Sequence, residues 1–237
     1  MSAYAFPVPD DHADGIPLPH VVVLSVARGP MRNNNYLLVD AAGTTAVLVD
    51  PAWEADTLDA ALADSGARLG GILLTHGHPD HTHLAARFAS LHGCPAWLSA
   101  ADRAAYGVDF PQLRDMPETP WDVGGLRVTP LPTPGHTQGS TCFRVGDHLF
   151  CGDTLFVEGC GLCPDVMAAH QLFDSLQFLK KRIPGHVRIH PGHTYVRPPG
   201  VRFDEVFRCN LYLQFEDRES FTAYRLRGGQ RGLFDFR

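Results

Sequence analysis

Residues 73–84 concentrate side chains that bind metal ions. Imidazole and carboxylate groups ligate borderline divalent cations such as zinc. An apolar run at residues 71–74 precedes them and an amphipathic segment follows, which predicts a strand, a ligand-bearing loop and a helix. This spacing favours a metal-binding loop over a set of solvated histidines. The candidate ligands are His76, His78, Asp80, His81 and His83.

Three more candidate ligands each follow a predicted strand. Loops at one edge of a rigid scaffold commonly carry binding sites. Proline and glycine near these residues predict tight turns that present the side chains. The candidates are His136 after residues 126–131, Asp153 after residues 148–150, and His193 after residues 187–189.

The sequence contains more candidate ligands than one cation binds. A tetrahedral zinc takes about four ligands, whereas the sequence offers seven even without His83. Two cations about 3.5–4 Å apart lower the pKa of a shared water and polarise a carbonyl under attack. We therefore expect a pair of metal ions. Asp80 is also the candidate catalytic residue, as acceptor of the proton from that water.

The hydrophobic pattern predicts the elements that must position these loops. Each half of the chain contains strands, then a helix, then a strand that ends near a histidine, which predicts an α/β fold with two packed sheets and helices outside, an αββα sandwich. Residues 107–122 contain several prolines and predict a surface loop. The predicted strands are residues 21–26, 35–39, 46–49, 72–74, 96–99, 126–131, 141–145, 148–151 and 187–190. The predicted helices are residues 53–65, 83–92, 101–106, 167–182 and 203–226.

Length and composition limit the possible domain organisation and the possible binding partners. The 237 residues fit an irregular N-terminal arm (1–19), a main domain (20–200) and a C-terminal helical extension packed on it (201–237). The net charge of −6 without a Lys/Arg cluster argues against a nucleic-acid partner. No apolar run approaches the roughly 18 residues of a membrane span, and the N-terminus lacks the features of a secretory signal. We therefore expect a cytoplasmic protein with six free thiols.

The combined pattern, His-x-His-x-Asp-His followed by a single histidine, a single aspartate and a late histidine, resembles the metallo-β-lactamase superfamily over about residues 20–200. The resemblance implies a two-metal site in which a hydroxide between the metals is the nucleophile. It implies two Zn²⁺ ions per chain, with iron or manganese as alternatives in either position. The implied ligands are His76, His78 and His136 for the first metal, Asp80, His81 and His193 for the second, and Asp153 as the bridge.

A narrower resemblance is to the glyoxalase II branch, whose members hydrolyse thioesters such as S-lactoylglutathione. It is carried by residues 151–156, by Gly-Cys-Gly at residues 159–161 and by residues 192–195. After Gly-Cys-Gly that family has a basic residue and, two positions on, an aromatic residue, which help to bind glutathione. Leu162 and Pro164 stand at those places here. The implied substrate-binding residues are Leu162, Cys163 and Tyr195.

The C-terminal segment, residues 210–237, resembles the zinc-dependent hydrolases encoded with trans-acyltransferase polyketide synthases. This implies a small-molecule or carrier-protein acyl thioester as the substrate, of the carrier-protein or CoA type, in polyketide biosynthesis. A homodimer is a further expectation. The alternatives are a mononuclear iron oxidoreductase of the persulfide dioxygenase type, a glutathione thioester hydrolase, a β-lactamase, and a non-catalytic carrier-binding protein.

Four other residues are assigned supporting roles. His83 is expected to hydrogen-bond near the ligands or to lie at the surface, and His190 to cap its strand or to hydrogen-bond near the ligands, because ligating histidines need such support. Cys160 and Cys163 are interpreted as free thiols of a loop, because one Cys-x-x-Cys alone is a weak metal or redox signal.

Overall fold

The computed structural model describes residues 18–228, and two six-stranded sheets form its centre. The first sheet contains, in spatial order, β1 (His20–Arg28), β2 (Met31–Val39), β3 (Thr45–Val49), β4 (Arg68–Leu73), β5 (Ala96–Leu98) and β6 (Leu113–Asp115). The second contains, in spatial order, β7 (Trp121–Val123), β8 (Leu126–Pro132), β9 (Thr141–Val145), β10 (His148–Gly152), β11 (Arg188–Pro191) and β12 (Val201–Arg202).

Both sheets combine antiparallel and parallel pairing. Strands β1 to β3 pair antiparallel, and β3 to β6 pair parallel. In the second sheet only β10 and β11 pair parallel. Parallel neighbours end at the same sheet edge. The loops after β3 and β4 therefore emerge side by side, as do the loops after β10 and β11.

Helices connect the strands and cover the outer faces of the sheets. They are α1 (Ala55–Ser65), α2 (Pro79–Thr82), α3 (Ala85–His92), α4 (Ala100–Tyr106), α5 (Val166–Arg182), α6 (Phe203–Cys209) and α7 (Arg218–Arg225), with a 3₁₀ turn at Leu211–Gln214. No helix within residues 18–228 is long and apolar enough to cross a membrane.

Alternation along the strands builds apolar layers on both faces of each sheet. Every residue of β3 is buried, as expected for a strand that is covered on both sides. Leu48 packs in the cluster beneath α1 and α3, whereas Val47 and Val49 belong to the cluster between the sheets. That central cluster also includes Tyr36, Leu73, Trp97, Val128, Phe143 and Phe150.

The outer face of the second sheet is covered by α5 and the C-terminal helices. Leu172 and Leu176 of α5 share one buried cluster with Phe203 of α6 and Phe221 of α7.

The predicted αββα sandwich with a helical C-terminal segment is confirmed. Part of the predicted arm (residues 1–17) and the end of the predicted extension (residues 229–237) lie outside the described residues. The predicted domain boundaries stay a prediction.

Three local predictions differ from the structure. The predicted loop at residues 107–122 contains β6 and β7, each only three residues long, which is too short for alternation to show in the sequence. The predicted helix at residues 83–92 begins only at Ala85, as α3, and a separate short helix, α2 (Pro79–Thr82), precedes it. The predicted helix at residues 203–226 is interrupted at Asn210, where the cap of the 3₁₀ turn begins.

Candidate metal centre

Two loops bring three imidazoles together in a group that we call the histidine triad (His76, His78 and His136). His76 and His78 lie after β4, and His136 lies after β8. Nε2 of His76 and Nε2 of His136 each lie 3.1 Å from Nδ1 of His78. Zinc binds imidazole nitrogen at roughly 2.0–2.1 Å. Nitrogens this close together can therefore share one cation.

A second group, the mixed cluster (Asp80, His81 and His193), lies beside the triad. Asp80 and His81 lie in α2, which begins with Pro79, a favourable first residue of a helix. His193 comes from the loop after β11. Oδ2 of Asp80 lies 3.4 Å from Nε2 of His81 and 3.5 Å from Nε2 of His193. The three groups are close enough to share a second cation.

Asp153, directly after β10, lies between the triad and the mixed cluster. Its Oδ1 is 3.4 Å from Nε2 of His81, and its Oδ2 is 3.3 Å from Nε2 of His193. Oδ2 also lies 3.6 Å from Nε2 of His136. The structure thus brings all seven predicted ligand residues together, with Asp153 between the two groups.

Two buried polar atoms in this arrangement have no hydrogen-bond partner among the described residues. They are Nε2 of His81 and Oδ1 of Asp153. Leaving a buried polar atom unpaired costs roughly 1–3 kcal/mol. A cation next to these atoms would remove that cost. The donor set, nitrogen and carboxylate oxygen, therefore fits a divalent metal such as zinc.

Backbone carbonyls accept hydrogen bonds from Nδ1 of two imidazoles and thereby orient the rings. Nδ1 of His136 donates to the carbonyl oxygen of Leu162 at 2.8 Å, and Nδ1 of His193 donates to that of Arg32 at 2.6 Å. A carbonyl oxygen only accepts, so Nδ1 of each ring carries the proton. In the neutral form of each ring, the lone pair of Nε2 therefore faces the other ligand residues, as metal binding requires.

Asp50 orients a third imidazole, although the sequence indicated only the end of a strand there. It has a left-handed backbone (φ 51°) and follows β3. Its Oδ2 lies 2.9 Å from Nδ1 of His81 and accepts the hydroxyl of Thr75 at 2.6 Å, while its Oδ1 accepts the amide of Thr75 at 2.8 Å. Asp50 is also close to His76 and His81. Because it contacts the outer nitrogen of His81, we assign it orientation of that ring.

Burial and charge keep His76 and His78 neutral, whereas at His81 and His193 the charge of Asp153 outweighs burial and raises the pKa of each ring, to about 10 for His193. Burial, followed by repulsion from His81, holds the pKa of His76 well below its usual value. Burial, followed by repulsion from His136, lowers the pKa of His78 to about 4. Both rings are therefore neutral at pH 7, the form that binds metal.

The two carboxyl groups are ionised for a different reason. Burial alone would raise the pKa of Asp80 and of Asp153. The charge of His81 outweighs this at Asp80, and the charges of His193 and His81 outweigh it at Asp153. The pKa of each carboxyl therefore lies well below its ordinary range, and both supply negative charge to the site.

Asn33 is a second residue that the sequence analysis missed. It is buried in β2, and its amide nitrogen donates to Oδ2 and to the carbonyl oxygen of Asp80, both at 3.0 Å. Its own amide oxygen accepts the indole N–H of Trp53 at 2.8 Å. Asn33 thereby fixes Asp80, but a run of three asparagines in a strand gives no sequence signal for that function.

Asp102 joins the two loops that carry the histidine triad. It is fully buried at the start of α4. Its carboxylate accepts the amide of Gly77 at 2.8 Å, the amide of Gly139 at 2.7 Å and the hydroxyl of Thr137 at 2.7 Å. One side chain thus fixes both loops that carry the histidine triad. The only sequence feature that points to Asp102 is its position three residues after Ser99, which caps α4.

The three predicted substrate-binding residues lie beside the centre. The carbonyl of Leu162 holds His136, and its side chain is 37% exposed. Tyr195 follows His193 by two residues and packs against Phe156 with ring centroids 5.1 Å apart. Cys163 is half-buried and free. Contact of these residues with a substrate stays a prediction.

All six cysteines are free, as predicted. Burial raises the pKa of the Cys160 thiol to about 12 and raises that of Cys163 well above its usual value. Both are therefore thiols at neutral pH, and thiolate is the form that reacts or binds metal. This agrees with the interpretation of the Cys-x-x-Cys sequence as two free thiols.

The structure places neither His83 nor His190 among the converging ligand residues. His83 is exposed, and its Nδ1 accepts the amide of Trp53 at 3.3 Å. His190 is buried in β11, with its Nε2 2.8 Å from Nδ1 of His148. His83 therefore lies at the surface, one of the two predicted alternatives, and the hydrogen bond of His190 stays within the second sheet; a supporting role of His190 stays a prediction.

Comparison with known proteins agrees with this geometry. The family model "Metallo-beta-lactamase superfamily" matches residues 28–194. A probable polyketide biosynthesis zinc-dependent hydrolase, BaeB of Bacillus velezensis, is 38% identical over 86% of this chain and 92% of its own. A hydroxyacylglutathione hydrolase of Anaeromyxobacter dehalogenans is 38% identical over 70% of this chain and 63% of its own. The crystal structure of TTHA1623 in a di-iron-bound form, 31% identical, superposes with a TM-score of 0.64 over 81% of this chain and 100% of its own. The chain belongs to the metallo-β-lactamase superfamily.

Proposed function

We propose that this protein is a metal-dependent hydrolase of acyl thioesters that binds two divalent cations. The observation that carries the proposal is the placement of Asp153 between the histidine triad and the mixed cluster, with buried atoms on Asp153 and His81 that have no hydrogen-bond partner among the described residues. The description of TTHA1623 as di-iron-bound and of BaeB as zinc-dependent supports a metal pair. Zinc is our preferred occupant, with iron or manganese as alternatives.

Each group of side chains has a defined part in this proposal. The histidine triad would hold the first cation, the mixed cluster the second, and Asp153 would contact both. When bound, such a pair supplies an activated water and polarises a thioester carbonyl. Without carboxylates the two positive charges would repel each other. The ionised Asp80 and Asp153 offset part of that repulsion.

Asp80 is also our candidate to accept a proton from the attacking water. The amide of Asn33 donates to its Oδ2, the same oxygen that faces His81 and His193. The pKa of its carboxyl lies well below the ordinary value, which makes the group a weak base. Asp80 therefore contributes mainly as a ligand, and proton transfer is its secondary part.

The loop beside His136 favours a thioester with an apolar or neutral thiol portion near the metals. Leu162 and Pro164 place no cationic side chain there. The exposed apolar residues Val166 and Met167 follow at the start of α5. This composition suits an acyl group presented on a carrier-protein or CoA-type thiol better than glutathione. The name of BaeB extends the proposal to polyketide biosynthesis.

A thiol-release assay tests the substrate class. Protein of known metal content would be mixed with one acyl group carried in turn on glutathione, coenzyme A and a carrier protein. We expect the carrier-protein or coenzyme A thioester to react fastest. Release from glutathione alone would contradict the carrier assignment. One iron per chain, with oxygen uptake on a persulfide, would contradict hydrolysis itself.

A further inference from the structure

One loop, which we call the clamp loop (residues 157–163), packs directly on a ligand residue of the histidine triad. The carbonyl of Leu162 accepts Nδ1–H of His136 at 2.8 Å. A Cβ added at Gly161 would meet the carbonyl oxygen of Asp153 and would lie 3.0 Å from Cβ and Cγ of the same histidine. The loop backbone therefore packs closely against His136, and a shift away from it would break the hydrogen bond. The orientation of His136 therefore depends on the position of this loop.

The C-terminal helices hold the clamp loop on its other side. The buried amide of Asn210 donates to the carbonyl oxygens of Phe156 and Gly159, both at 2.9 Å. Arg225, the last residue of α7, donates from Nη1 to the carbonyl oxygen of Cys160 at 3.3 Å and to the hydroxyl of Tyr212 at 3.1 Å. Two side chains distant in sequence thus fix the backbone that orients His136.

Arg225 is an unusual choice for a purely structural position. It is 3% exposed and forms no ion pair within residues 18–228. Its Nε is buried without a hydrogen-bond partner among those residues. Burying a cation without a carboxylate partner is costly, whereas an apolar side chain would fill the space without that cost. The guanidinium lies over the ring of Tyr212, 5.4 Å from its centroid, and its hydrogen bond to the Cys160 carbonyl connects it to the clamp loop.

We infer that Arg225 is a positioning residue for the metal centre, acting through the Cys160 carbonyl and the clamp loop on the orientation of His136. This inference rests on the proposed function, because it requires that His136 bind a cation. Groups that orient a metal-binding histidine typically change metal affinity by about 10–100-fold. The C-terminal extension thereby acts on the affinity of the first metal position without touching the metal.

Zinc titration of the metal-free full chain, with a competing chelator, tests this inference. Arg225→Met should weaken the binding of one of two Zn²⁺ ions by about 10–100-fold. Arg218→Met is the matched control, because Arg218 lies in the same helix but pairs at the surface with Asp174 at 2.7 Å. It should bind both ions as the wild type does. Circular dichroism would verify that each variant is folded.

Repeating the Arg225 substitution in a chain that lacks His136 separates a positioning role of Arg225 from general destabilisation of the fold. In a His136→Ala chain, adding Arg225→Met should cause no further loss of zinc affinity, because the histidine that it positions is absent. An equal loss in both backgrounds would overturn the inference, as would wild-type affinity in a folded Arg225→Met protein. If Arg225→Met does not fold, Arg225→Leu, which also removes the donor, replaces it with the same two criteria. A wild type that binds no zinc would overturn the proposed function as well.

Discussion

At the scale of single residues, Asp153 is the side chain that contacts both the histidine triad and the mixed cluster. Asp153→Asn keeps the shape of the side chain but removes its charge. We expect the zinc content to fall below one per chain and thiol release to fall by more than about 100-fold, because a bridging charge is lost. Elemental analysis and the thiol assay measure the two effects. Asp59→Asn, which removes a surface ion pair with Arg87, is the control. Unchanged zinc content in Asp153→Asn would refute the bridging assignment.

Asp50 gives a second prediction at this scale. Its carboxylate accepts both donors of Thr75 and faces Nδ1 of His81. Asp50→Asn replaces one accepting oxygen with a donor, so the ring of His81 loses its orientation. Zinc affinity, measured with a competing chelator, should fall by about 10–100-fold. Asp56→Asn, an exposed change in α1, should have no effect. Equal affinities in the two variants would show that Asp50 does not support the site.

The sequence predicted the candidate ligand residues better than their supports. Imidazole and carboxylate groups at strand ends carry a chemical signal wherever the chain takes them, which is why His136, Asp153 and His193 were found. Asp50, Asn33 and Asp102 carry no such signal. Their importance arises from hydrogen bonds across long sequence separations, which only the packed fold defines.

At the scale of elements, the carboxyl end of β10 must approach the loop after β4 closely. Gly152 ends β10 with φ of 48°, and a Cβ there would lie 2.6 Å from Cβ of Thr75. Gly152→Ala should lower the free energy of unfolding by about 1–3 kcal/mol through this overlap, plus about 1 kcal/mol of left-handed backbone strain. Urea unfolding measures the change.

Gly93 provides the matched control for that substitution. It has φ of 61°, and nothing lies within 4 Å of an added Cβ. Gly93→Ala should therefore show only the backbone cost, about 1 kcal/mol. If both variants lose the same stability, the contact between the end of β10 and Thr75 is looser than the structure indicates.

Element types were predictable where the hydrophobic pattern was long. α5 has 17 residues with apolar side chains at helical spacing, and the prediction placed it within one residue at its start. β6 and β7 were missed because three residues show no period. Their strand conformation comes from pairing with β5 and β8, which is a tertiary effect.

At the scale of the whole molecule, the proposed ligands come from both sheets. His76, His78, Asp80 and His81 follow β4 of the first sheet, whereas the other three follow strands of the second. Bound cations would therefore link the sheets and stabilise the fold. At zinc 100-fold above the dissociation constant, one site contributes about 2.7 kcal/mol.

Chelation tests this link between the sheets. Removing metal should lower the urea midpoint, and adding zinc should restore it. Asp153→Asn should show a much smaller response to zinc than the wild type. A wild-type midpoint that does not change with chelator or zinc would contradict a metal centre shared between the sheets.

Anomalous X-ray diffraction at the zinc edge, on crystals grown with zinc, would show directly whether the chain binds a pair of cations. We expect two anomalous peaks on either side of the Asp153 carboxylate, one contacting His76, His78 and His136 and the other contacting Asp80, His81 and His193. A single peak, or none near Asp153, would contradict the two-metal centre.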